Sequence, residues 1–236
     1  MNEHTVKSYD QELQFLDRRI AEMGGLAERL LAQGFDALAR RDPKLAEAAV
    51  ASDKAIDALE VELQEHSILM IARRQPMADD LRHIMTVLKI AGDLERIGDL
   101  AKNIAKRALA IWGEPHPKPL MTGLKHMLEL AQRQIKDALD AYAERDADKA
   151  LAVWRHDERI DAMYNSLFRE LLTYMMEDPR NIGLCTHLLF GAKNLERIGD
   201  HTTNIAENVY YLVHGSAIAN DRPKGDITAS TLVRKE

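Results

Sequence analysis

The chain repeats itself, and that repetition restricts its possible folds more than any other feature. Met23, Leu26, Ala27, Arg29, Arg41, Asp42, Asp53, Ile56 and Asp57 recur at a constant offset as Met127, Leu130, Ala131, Arg133, Arg145, Asp146, Asp157, Ile160 and Asp161. Further along, after a deletion of three residues, AGDLERIGDLAKNIA from Ala91 returns as AKNLERIGDHTTNIA from Ala192. Self-similarity of this length marks a tandem duplication of one folding unit.

Prolines divide each copy. Pro43, Pro76, the cluster Pro115, Pro117 and Pro119, and Pro179 separate long stretches that suit helices, because proline removes an amide donor and clashes with the preceding turn. The spacing predicts six helices: Tyr9 to Arg40, Pro43 to Arg73, Met77 to Trp112, Leu120 to Arg145, Ala147 to Glu177 and Arg180 to His214. No run alternates in the two-residue period of a strand. The expected fold is all-α, an elongated bundle of two tandem three-helix repeats with helices roughly 40–50 Å long. The first repeat spans 1–112, a linker 113–119, the second repeat 120–214, and a mobile tail 215–236.

Composition narrows the function classes. With 46% apolar and 30% charged residues the chain can bury a core, which excludes wholesale disorder. It has no apolar run of membrane-spanning length, and the charged start MNEHTVKSYDQELQF does not resemble a signal peptide, so a cytoplasmic location is expected. Cys185 is the single cysteine, which rules out an intrachain disulfide and reads as a small buried hydrophobe. A net charge of -6 with scattered basic residues offers no footprint for nucleic acid. Walker loops, dinucleotide-binding glycines, nucleophile elbows and cysteine zinc sites are missing from the sequence.

The acidic residues carry whatever chemistry is present. In the third helix Ile90, Leu94, Ile97, Ala101, Ile104, Ala108 and Ile111 form a core stripe. Glu95, Asp99 and Asn103 fall on the opposite side and recur as Glu196, Asp200 and Asn204. Two further pairs at the same spacing, Asp53/Asp57 and Asp157/Asp161, lie on the middle helices. Carboxylates one turn apart repel by about 0.2–0.5 kcal/mol, a sign that a cation reverses. Oxygen donors of this type suit hard ions. The alternative is a solvated face, with Arg96 and Arg197 pairing locally with Asp99 and Asp200. Gly98 and Gly199 cost about 1 kcal/mol each within a helix, which close helix packing or approach beside the acids would repay. The acids lack the Glu-x-x-His partner of ferritin-like centres. His201 reads as a lone surface residue, Trp112 and Trp154 as packing residues, and the methionines as core filler.

The segments DLERIGDLAKNIA and NLERIGDHTTNIA, with DKAID and DERID, resemble the PhoU family of phosphate-uptake regulators over essentially the whole chain to about His214. The family's acidic-x-x-x-Asp pattern falls on Asp53/Asp57, Glu95/Asp99, Asp157/Asp161 and Glu196/Asp200. The resemblance implies a non-enzymatic negative regulator of phosphate uptake and of the phosphate-starvation response. It further implies a metal-binding adaptor, frequently a homodimer, peripheral to the membrane beside the phosphate ABC transporter and a sensor histidine kinase. The transporter ATPase and the kinase are the implied partners. The implied cofactor is a divalent or trivalent metal ion: Mg, Mn, Ca, Zn or Fe. Asn194, where the first half has Asp93, would make the two metal sites unequal. A carboxylate-metal enzyme or metal store, and a metal-free helical scaffold, are the alternative functions.

Overall fold

The computed structural model describes residues 3–114 and 117–219. Its helices are α1 (Glu3–Arg40), α2 (Pro43–Ser52), α3 (Lys54–Arg74), α4 (Ala78–Ala110), α5 (Lys118–Glu144), α6 (Ala147–Arg155), α7 (Glu158–Glu177) and α8 (Ile182–His214), with a 3-10 turn Pro179–Asn181 before the last. The described residues contain no strand. The tail expected from 215 falls, from 220 onward, outside the described residues.

The six expected segments are present, but each middle one is divided in two. The division falls at Asp53, and at His156 and Asp157, so the first acid of each middle-helix pair stands at a helix end. No proline or glycine marks either point. Asp53 and Asp157 keep helical dihedrals at these points, and each buried carboxylate accepts a hydrogen bond from the last helix of its half, Asp53 from Lys102 and Asp157 from Thr203.

The duplication is conserved down to backbone turns. Arg41 and Arg145 end α1 and α5 in the left-handed region, with φ of 57° and 54°. The next amides return to the helix, Asp42 N–H to the Ala37 carbonyl at 3.1 Å and Asp146 N–H to the Ala141 carbonyl at 3.0 Å. Asp42 then caps α2 by accepting from the amides of Lys44 and Leu45, and Asp146 caps α6 by accepting from Lys149.

Residue pairs fix how the helices run. Asp17 meets His83 near one end of α1 and α4, and Gly34 lies on Ala101 and Ala105 towards the other, so these two are parallel. Helices α4 and α8 are antiparallel, since Arg82 donates to the Leu212 carbonyl at 3.4 Å while Arg107 stacks on Phe190, 4.7 Å from its ring centre. Helices α1 and α5 are also antiparallel, joined by Asp17 with Tyr142 and by Gly24 against Leu139. The two halves therefore share one core, with α3 and α7 laid on α4 and α8. At the seam Asp17 gathers His83, Tyr142 and Arg145 into one polar network, and the bonds from His83 and Tyr142 outweigh burial to hold its carboxyl below the usual range.

Gly34 permits the close approach of α1 to α4. A Cβ there would come to 3.0 Å from the Ala101 carbonyl oxygen, which belongs to the backbone and cannot swing aside. Gly34→Val is expected to cost about 1–3 kcal/mol through overpacking. Urea unfolding monitored by circular dichroism checks this, and a change under about 0.5 kcal/mol would refute the close-approach role.

Candidate functional site: two acidic clusters between helices

The structure brings the acids of the middle and last helices together in each half. In the first half, α3 supplies Asp53 and Asp57 while α4 supplies Glu95 and Asp99. Asp53 is buried, Asp57 is exposed, and the other two are half-buried. Gly98 explains the closeness: a Cβ there would lie 2.9 Å from Ile56 Cδ1 and 3.4 Å from Asp53 Oδ1. Close helix packing and approach beside the acids are thus one arrangement.

A lysine sits at the centre of this cluster. Lys102 Nζ donates to Asp53 Oδ2 on one helix and, at 2.6 Å, to Asp99 Oδ1 on the other. Burial disfavours its charge, but these two carboxylates hold its pKa well above the ordinary lysine value. Burial would raise Asp99, yet the bond and charge of Lys102 leave its carboxyl below the usual range. Partial loss of hydration between the helices, and then their acidic neighbours, push the carboxyls of Asp57 and Glu95 up. Arg96 reaches Glu95 at 3.3 Å and Asp99 at 3.6 Å.

The second cluster is more deeply enclosed. Asp157, Asp161 and Glu196 are buried, and Asp200 is half-buried. The residue equivalent to Lys102 is Thr203, whose hydroxyl donates to Asp157 Oδ1 at 3.0 Å. A cation approaches from elsewhere: Lys193, equivalent to Gly92, donates to Glu196 Oε1 at 2.7 Å and lies 5.0 Å from the Tyr164 ring centre. Burial raises Glu196 to about 7, with Lys193 opposing and Asp200 and Asp161 reinforcing the shift. Gln134, equivalent to Leu30, is 6% exposed with no hydrogen bond at either amide atom, and Glu196 Oε2 is buried without one. A Cβ on Gly199 would meet Gln134 Oε1 at 3.3 Å and Asp157 Oδ1 at 3.7 Å, so the amide faces the carboxylate across the glycine.

Several sequence expectations change here. Asp93 belongs to neither cluster; it receives the Asn204 amide at 3.3 Å and contacts His201 Nδ1 at 3.0 Å across the α4–α8 seam. The Asp93/Asn194 difference therefore does not set the clusters apart. The differences at Lys102/Thr203, Gly92/Lys193 and Leu30/Gln134 do. His201 is a half-buried link between halves rather than a lone surface residue. Asn204 points its amide to the seam, while Asn103 is half-buried on α4. Trp112 is 58% exposed, because it lies past the end of α4, whereas Trp154 is buried and donates to Glu207 at 3.0 Å. Met23, Met70 and Met127 fill core, but Met77 and Met176 are 80% and 84% exposed. Cys185 is fully buried, which pushes its thiol up and suits a packing role.

Donor chemistry and geometry give different answers for a metal. Among the described residues no three His, Cys, Asp or Glu side chains stand ready to hold an ion together. In the first cluster an ammonium already occupies the space between the helices. Buried oxygens without a hydrogen bond occur in both, Asp53 Oδ1 in the first and Glu196 Oε2 and Gln134 Oε1 in the second, and such oxygens are hard donors suited to an ion of this kind.

Comparison with known proteins agrees with this architecture. The PhoU domain model matches residues 20–108 and again 124–209, one match per half. A phosphate-specific transport system accessory protein PhoU homolog of Rhizobium meliloti is 54% identical over 96% of this chain and 96% of its own. The crystal structure of PhoU from Pseudomonas aeruginosa superposes with a TM-score of 0.85 at 40% identity, covering 88% of this chain and all (100%) of that one. The crystal structure of the phosphate transport system regulatory protein PhoU from Streptococcus pneumoniae gives a TM-score of 0.79 at 29% identity, over 90% of this chain and 100% of that one. With two matched domains, relatives aligned end to end and the same helical fold, this chain belongs to the PhoU family.

Proposed function

We propose that the chain is a negative regulator of phosphate uptake and of the phosphate-starvation response, an accessory protein and not an enzyme. It works in the cytoplasm as a homodimeric adaptor, peripheral to the membrane, between the ATPase of a phosphate ABC transporter and a sensor histidine kinase. A hard metal ion at the acidic clusters is part of this reading. Whole-chain kinship to proteins named for the phosphate transport system is the observation that carries it. No helix among the described residues is long and apolar enough to cross a membrane, consistent with a peripheral role.

The outward face of α4 and α8 supports docking. Exposed Arg96 and Arg197 stand beside the acids, and an open groove of about 530 Å³ lies between the halves, lined by Glu60, Lys89, Asp93, Glu95, Asn204 and Glu207 among others. Guanidinium groups at such a face suit carboxylate partners. The direct test presents purified chain to the isolated transporter ATPase and to the kinase's cytoplasmic region, with binding read by interferometry. Saturable binding to both is expected, weakened by Arg96→Glu/Arg197→Glu; binding to neither would reject the adaptor role.

A further inference from the structure

We propose that the cleft between α1 and α3 is a docking groove for an acidic amphipathic helix of a partner protein. It is a second surface, separate from the face of α4 and α8, and its case stands on this cleft alone.

Helices α1 and α3 run antiparallel, with Glu12 paired to Arg74 at one end and Glu62 to Arg19 at the other. Between these two ion pairs lies an open cleft of about 470 Å³. Its lining is apolar at Phe15, Leu69 and Met70, aromatic again at His66, whose ring centre is 4.6 Å from that of Phe15, and basic at the exposed Arg18 and Arg73. On each helix the lining residues return at every turn and span seven positions, so the cleft follows the helix axes for roughly 10 Å. A groove of this shape between two helices accepts a third.

Charge defines the occupant. Arg18 and Arg73 make no ion pair or hydrogen bond among the described residues, whereas Glu12, the acid among the lining residues, is held through both its carboxylate oxygens by Arg74, at 2.9 and 3.2 Å. The cleft is therefore a local excess of positive charge on a chain of net charge -6. Guanidinium groups left unpaired beside apolar surface match a helix whose apolar stripe is bordered by carboxylates.

Two further observations point to a cover. Helix α3 is apolar on both sides: Leu63 and Met70 are buried in the fold, while Val61, Ile68 and Leu69 are each close to half exposed. A helix apolar all round belongs in a buried setting. The second repeat, moreover, folds without the feature. At the offset that takes Asp53 to Asp157, Phe15, Arg18, His66, Leu69 and Arg73 become Pro119, Thr122, Glu170, Thr173 and Glu177. Neither arginine is kept and the exposed leucine is lost, so the three-helix unit does not need them for its own packing.

The full chain is immobilised and a display library of random peptides, roughly sixteen residues or four helical turns long, is selected against it, with Leu69→Asp/Arg73→Glu as the counter-target. Peptides retained by wild type alone are synthesised, and their affinity is read by fluorescence anisotropy. They are expected to carry apolar residues at i, i+3 or i+4 and i+7, bordered by Asp or Glu. Arg18→Glu/Arg73→Glu is expected to weaken their binding by about tenfold or more, and Leu69→Asp by about tenfold. Raised salt weakens wild-type binding, Leu69→Met changes it little, and Arg96→Glu/Arg197→Glu leaves it unchanged. Circular dichroism confirms that each variant is folded. No peptide that tells wild type from the counter-target, a retained set without acidic preference, or loss of binding in Arg96→Glu/Arg197→Glu would overturn the proposal. Sedimentation over a concentration series checks the other occupant: self-association that Leu69→Asp abolishes would give the groove to a second copy of this chain and overturn the partner helix.

Discussion

Lys102→Met is expected to destabilise the chelator-treated protein by about 3–5 kcal/mol, the usual cost of removing one partner from a buried ion pair. Asp53 is the reason: its side chain is 4% exposed, and Lys102 holds its Oδ2 while Oδ1 has no hydrogen-bond partner. Without the ammonium that carboxylate is a bare charge between two helices, and it must either take up a proton or open the α3–α4 contact to water. Asp53→Asn/Lys102→Met, which removes both charges, is expected to recover at least half of the loss, because an ion pair replaced as a pair costs little. Urea unfolding of the four proteins of this cycle measures the coupling. A single-variant loss below about 1 kcal/mol would place the pair among weak surface bridges.

Glu196 has the opposite effect. Its folded pKa, about 7, lies above the ordinary 4.5, so the native state binds the proton more tightly than the unfolded chain. Above pH 7 the ionised form is buried at a cost of roughly 3 kcal/mol, and stability rises as pH falls from 8 through 7 towards 4.5, below which no further gain accrues. The groups facing it are Lys193, Asp200 and Asp161. In chelator, Glu196→Gln is expected to be about 2 kcal/mol more stable than wild type at pH 8, the lost bond to Lys193 reducing the gain, and that advantage should vanish near pH 5. Unfolding midpoints across this range check it; a difference between the two proteins that stays flat with pH would rule out the buried glutamate as the source.

The helices were legible because prolines and duplication mark their ends independently. The left-handed Arg41 and Arg145, each followed by a capping aspartate, show how closely the two copies follow one backbone plan. The breaks at Asp53 and at His156–Asp157 were not legible, since neither proline nor glycine marks them and the buried aspartates there meet residues some 46 to 49 positions away. The convergence of Asp53 with Asp99, and of Glu196 with Asp161, followed from placing the same acidic spacing on adjacent helices.

Lys102 is legible in the sequence through comparison of the two copies. Alignment of DLAKNIA with DHTTNIA sets a lysine against a threonine one turn after the acidic pair, and that mismatch signals unequal charge more directly than Asp93 against Asn194. Asp93 misled because it shares a helix with Glu95 and Asp99; its side chain leaves that face for the seam with α8, which helical spacing alone does not reveal. The role of His201 is hidden for the same reason, as its partner Asp93 lies on the other half.

Control of phosphate-starvation genes is the central claim, and a starvation-promoter reporter tests it most directly. The reporter is read in ample phosphate in cells lacking this chain, and again with the chain restored. A brake acting through the transporter and kinase predicts a promoter that is on without the chain and silent with it. A promoter equally silent in both strains would contradict the regulatory function.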